Sequence, residues 1–108
     1  MGEMDIQELT AEMYRFVRSK GWLETDSKRP QSLRNLAISL VLEASEVLEH
    51  FQWNEQTKEK DQLAGELADV MLYLMQLASL SDIDLEKAVL KKLEINYQRR
   101  WDEEEDTP

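Results

Sequence analysis

The chain contains no cysteine, one histidine, two prolines and three glycines among its 108 residues. Without cysteine there are no disulfides, no thiolate metal sites and no cysteine nucleophile, and the redox compartment is left open. So few glycines and prolines supply little material for the many turns of an all-β fold. Positive charge is also scarce: 13 Lys and Arg stand against 23 Asp and Glu, a net charge of −10. A general binder of nucleic-acid polymer needs a basic face, so no such partner is expected. A small anionic ligand held through a metal ion stays open. The opening stretch MGEMDIQELT has no apolar signal-peptide core, and no run reaches the ~18 apolar residues of a membrane span. These absences point to a cytoplasmic protein with no membrane partner.

What is present suits one soluble helical domain: 42% of the residues are hydrophobic and 33% are charged. The first segment runs from about Asp5 to Lys20, with Asp5 and Glu8 in capping-box spacing and Gly21 as its stop. The second starts near Ser32 and ends near Phe51. Its core face is Leu33, Leu36, Ala37, Leu40, Val41, Ala44, Val47, Leu48 and Phe51, while Ser39, Glu43, Glu46 and His50 form a stripe along its edge. Ile38 and Leu42 point away from that core and suggest a second buried surface, as in a homo-oligomer. A third helix, about Lys58 to Leu80, is apolar nearly all round and should be central; its polar stripe is Gln62, Glu66, Asp69, Tyr73 and Gln76. Asp84 is the expected N-cap of a fourth helix reaching about Trp101. The expected architecture is an all-α antiparallel four-helix bundle spanning residues 1–101, followed by a disordered acidic tail, 102–108.

Two carboxylate pairs carry the chemistry. Glu43-Ala44-Ser45-Glu46 and Glu66-Leu67-Ala68-Asp69 each place two acids on one helix face. Antiparallel packing of the second and third helices lets both pairs converge. Four carboxylates in one place repel one another without cations. Oxygen-only ligands suit Mg²⁺, or Mn²⁺ in its place, and Mg²⁺ commonly shares its shell with substrate phosphates. One Glu-x-x-Glu pair is ordinarily just a solvated face. It is the presence of two pairs bordering apolar faces, the second on an almost wholly apolar helix with Asp69 inside the stretch LADVMLYLMQLA, that favours a metal. Asp69 could instead pair with a cation on the fourth helix. A di-iron site is not expected, because it needs Glu-x-x-His motifs and the residue three before His50 is Val47. His50 reads as an ordinary surface histidine that extends the acidic stripe.

The runs LVLEASEVLEHFQW, GELADVMLYLMQLA and DLEKAVLKKLEINYQRRW resemble the MazG-like nucleotide pyrophosphohydrolases, in particular their small single-domain branch. The likeness covers about Leu33 to Trp101. It implies an all-α NTP pyrophosphatase fold, a homodimer or homotetramer, and Mg²⁺-dependent conversion of a nucleoside triphosphate to the monophosphate and pyrophosphate. By the same likeness Glu43, Glu46, Glu66 and Asp69 are the metal-binding acids and Tyr73 belongs to the substrate pocket. Lys92 and Asn96 contact the nucleotide or its phosphates, and Trp53 lies near the base. Trp22 stands for an aromatic residue that helps enclose the base, although the loop around it is longer than in the family and holds no histidine. Arg99 is matched, but Arg100 replaces the tyrosine that follows it in the family.

The chemistry agrees. Triphosphate hydrolysis needs phosphate charge neutralised and a water held in line, and a carboxylate free of metal can serve as general base. Lys92 could lend a point charge to a phosphate. The expected activity is nucleotide-pool housecleaning. A dUTP- or phosphoribosyl-ATP-type pyrophosphohydrolase is the related alternative, and a helical interaction module with solvated acidic stripes is the non-enzymatic one.

Overall fold

A computed structural model describes residues 3–99. Four helices follow one another: α1 (Ile6–Ser19), α2 (Leu33–Glu49), α3 (Lys60–Leu80) and α4 (Leu85–Gln98). Their boundaries follow from local chemistry. Asp5 caps α1 by accepting from the Glu8 N–H at 2.8 Å, and Glu8 returns an acceptor to the Asp5 N–H, which completes the capping box. The helix ends in a Schellman turn: the Gly21 N–H donates to the Arg18 carbonyl and the Trp22 N–H to that of Val17. Gly21 takes φ 71°, where a Cβ would be disfavoured.

Ser32 caps α2 by accepting from the Asn35 N–H, and Asp84 does the same for α4 from the Lys87 N–H. A second Schellman turn closes α3, with the Ile83 N–H donating to the Ala78 carbonyl at 2.8 Å. Its left-handed position is Asp82, at φ 57°. The expected end of the fourth helix at Trp101 and the acidic tail, 102–108, lie outside the described residues.

Two side-chain bonds show that α2 and α3 run antiparallel. Gln31, just before α2, meets Gln76 near the end of α3, whereas His50, just after α2, meets Glu66 near its beginning. Helix α3 also packs against α1 and α4 and is the central helix. By length and composition alone α3 could cross a bilayer. It carries Glu66 and Asp69 in its first half, however, and takes α1, α2 and α4 against its sides, as the centre of a bundle does.

The closed core is small. Met13, Val17, Leu36, Met75 and Ala78 are its buried apolar residues, all on α1, α2 and α3. The expected core face of α2 is therefore only partly covered. Leu36 is buried, but Val41 is 67% and Leu48 63% exposed, as open as Ile38 at 50% and Leu42 at 62%. On α4, Val89, Leu90 and Leu93 are likewise uncovered. Helical period shows that a face is apolar, but not whether its cover comes from the same chain.

Candidate active site

The acids line up along the α2–α3 seam, between the two bonds that set its register. Glu43 is half-buried, and its Oε2 is enclosed without a hydrogen-bond partner. Its carboxyl is held above the ordinary value near 4.5. Burial is the largest cause, followed by the charges of Glu46 and Asp69, a hydrogen bond with Glu46, and the charge of Glu66. The structure thus brings the two sequence pairs into one electrostatic neighbourhood.

Among the described residues, no three acidic side chains draw together tightly enough to form a ready-made metal cage. The donor set nevertheless fits a hard divalent cation. It is made only of oxygens, and it includes a buried carboxylate oxygen with nothing to satisfy it. Asp69 lies on an exposed part of α3 rather than a largely buried one, so its position costs less desolvation than the apolar stretch around it suggests. It forms no ion pair with Lys or Arg among the described residues.

Two cavities flank this acidic ridge. One, of about 480 Å³, has aromatic walls: Trp22 and Phe16 meet edge to face at 5.5 Å, and Tyr73, Gln31, Gln76 and Asp69 share the space. The Arg29 guanidinium lies over the Trp22 ring, 5.3 Å from its centroid, and helps fix it. The second, of about 590 Å³, is strongly polar and is bordered by Glu46, Glu66, His50, Thr57 and Lys58. An apolar, aromatic space on one side of an acid cluster and a polar one on the other can take a flat heterocycle joined to a charged chain.

The other expected residues do not join these spaces. Trp53 sits on the α2–α3 connection, 85% exposed, and borders neither cavity. Lys92 is exposed on α4 and borders neither; Asn96 is half-buried near the end of α4, and Arg99 is its C-cap.

The residues that sequence reasoning missed are chiefly Gln31, Phe16, Arg29 and Thr57. Only tertiary packing brings these loop and α1 positions to the seam. Gln76 was visible as an amide in the polar stripe of α3, and His50 as the end of the stripe on α2. His50 is not a surface residue: its side chain is 6% exposed and bonded to Glu66.

The fold is that of the all-α NTP pyrophosphatases. A crystal structure of a pyrophosphatase from Archaeoglobus fulgidus superposes with a TM-score of 0.75 at 30% identity, over 93% of this chain and 95% of that one. A match to the MazG-like family spans residues 38–107, and the chain belongs to that family. Relatives named dCTP pyrophosphatase 1 are 37% identical in Rattus norvegicus and 36% in Homo sapiens, over 85% of this chain. The chain spans 59% of the length of those relatives.

Proposed function

We propose that this chain is a nucleoside triphosphate pyrophosphohydrolase dependent on a divalent cation, Mg²⁺ with Mn²⁺ as substitute. The reaction is hydrolysis of a (d)NTP to the monophosphate and pyrophosphate. The observation that carries this reading is the enclosed, unpartnered Glu43 Oε2 among Glu46, Glu66 and Asp69, beside an aromatic cavity. Family membership and the named activities of the relatives support it.

Glu43, Glu46, Glu66 and Asp69 would hold the cation, which when bound would neutralise charge on the triphosphate. Trp22 and Tyr73 would flank the base, with Gln31 and Gln76 offering amide groups to its edge. Water supplies its hydroxyl to one phosphorus of the α–β anhydride as that bond breaks, and the proton passes to a carboxylate of the cluster. The family resemblance gives substrate contacts to Lys92, Asn96, Arg99 and Trp53 as well, although they lie outside the two cavities of the single chain, and the uncovered apolar faces of α2 and α4 support a homodimer or homotetramer. The partners are then a nucleotide and further copies of the chain, with no nucleic-acid polymer and no membrane. Removal of unwanted nucleotides from the pool is the biological role that fits.

A panel of nucleotides incubated with Mg²⁺ and scored for pyrophosphate tests the reading. Turnover of at least one triphosphate to its monophosphate supports it. Failure of Mg²⁺ to raise the melting temperature, together with no turnover, favours a non-catalytic interaction module.

A further inference from the structure

His50 makes the shortest side-chain contact along the α2–α3 seam. Its Nε2 lies 2.6 Å from Oε1 of Glu66, and its Nδ1 lies 2.9 Å from Oγ1 of Thr57. The histidine and glutamate side chains are 6% and 13% exposed. An ionised carboxylate only accepts hydrogen bonds, so Nε2 carries the hydrogen and donates it. Thr57 is anchored in turn, because its Oγ1 accepts from the Glu59 N–H at 3.1 Å. A continuous chain of bonds therefore runs from the backbone that enters α3, through Thr57 and His50, to one oxygen of Glu66. The other oxygen is more loosely held, with Gln62 Nε2 at 3.4 Å.

We propose that His50 is a positioning residue: it holds Glu66 by Oε1, leaves the more loosely held Oε2 available to a cation, and ties Glu66 to the α2–α3 connection through Thr57. The inference rests on the metal-dependent reading above. Glu66 is one of four like charges, and an unrestrained carboxylate there would swing away from its neighbours toward water. Holding it in place before the cation arrives removes an ordering cost from metal binding. Outer partners of this kind are typically worth about 10–100-fold in metal affinity.

The test is Mn²⁺ binding by the full chain, read from the electron paramagnetic resonance signal of free Mn²⁺, alongside kinetics at varied Mg²⁺. His50→Leu keeps apolar bulk but has no donor, and should raise the Mn²⁺ dissociation constant by about 10–100-fold. His50→Gln restores a donor near the Nε2 position and should recover most of that loss. Thr57→Val, which breaks the chain one bond further out, should show a smaller rise in the same direction. The Mg²⁺ concentration that gives half-maximal activity should rise in the same order across the three variants.

Parental affinity in His50→Leu overturns the role of His50, as does equal loss in the leucine and glutamine variants. If His50→Leu does not fold, an unchanged Mn²⁺ affinity in Thr57→Val overturns the proposal and a weakened one supports it. Absence of Mn²⁺ binding by the parent overturns the metal reading itself and this inference with it.

Discussion

Gln76 on α3 donates from Nε2 to Oε1 of Gln31 at 2.7 Å, across 45 residues of sequence, and Gln31 passes its own Nε2 hydrogen to the Arg29 carbonyl. The loop before α2 is thereby fastened to the central helix at the wall of the aromatic cavity. Gln76 is 4% exposed, so its amide depends on this partner. Gln76→Leu leaves Gln31 Oε1 without its donor and should cost about 1–3 kcal/mol. It should also change the order of kcat/KM among the four bases, because an amide leaves the proposed base pocket. A lowered melting temperature with an unchanged base preference would make the pair structural only.

Glu43 sets a pH dependence. Its folded-state pKa is raised above the ordinary value near 4.5, so the native chain holds this proton more tightly than the unfolded chain does. The stability it contributes is complete below about pH 4.5 and is lost as pH rises through the folded value. Glu43→Gln, which keeps the shape but not the charge, should melt at or above the parent at pH 7 in EDTA. The difference should close toward pH 4. A variant that melts well below the parent at pH 7 in EDTA would contradict this.

Asp69→Asn should nearly abolish turnover while the fold persists. One negative charge leaves a crowded acidic seam, so the variant should be as stable as the parent, or more so, in EDTA. With saturating Mg²⁺ the order should reverse, because the parent gains binding free energy that the variant largely loses. Thermal melts in both conditions decide it. A variant that is destabilised in EDTA and still active would show Asp69 to be structural.

The apolar outer face of α2 predicts self-association. Ile38 is 50% and Leu42 62% exposed, and with Val41 and Arg34 they border an apolar groove of about 470 Å³. Ile38→Glu combined with Leu42→Glu should lower the sedimentation mass and the melting temperature. A parental chain that sediments as a monomer across micromolar concentrations would rule the assembly out.

Local chemistry was the most legible part of this chain. The Asp5–Glu8 box, Ser32 and Asp84 as caps, and Gly21 as a stop depend on residues only a few positions apart, and each stands where its spacing puts it. The carboxylate pairs were legible for the same reason, since i, i+3 spacing on a helix is geometry. Cover, and the partners of single residues, were not. Val41 and Leu48 read from the sequence as part of one broad apolar face with buried Leu36, yet in the single chain they stay mostly exposed. His50 looked like a surface histidine because its partners lie 7 and 16 residues away, one in the α2–α3 connection and one on α3. Trp22 and Tyr73 line one cavity only because α1 and the loop after it fold back on α3.

The most direct measurement of the central claim is product identity, followed by phosphorus-31 NMR of a nucleoside triphosphate incubated with the protein and Mg²⁺. The three phosphate resonances should give way to those of a monophosphate and pyrophosphate, EDTA should stop the change, and Asp69→Asn should not produce it. Orthophosphate and a nucleoside diphosphate as the main products, or equal turnover in EDTA, would contradict it.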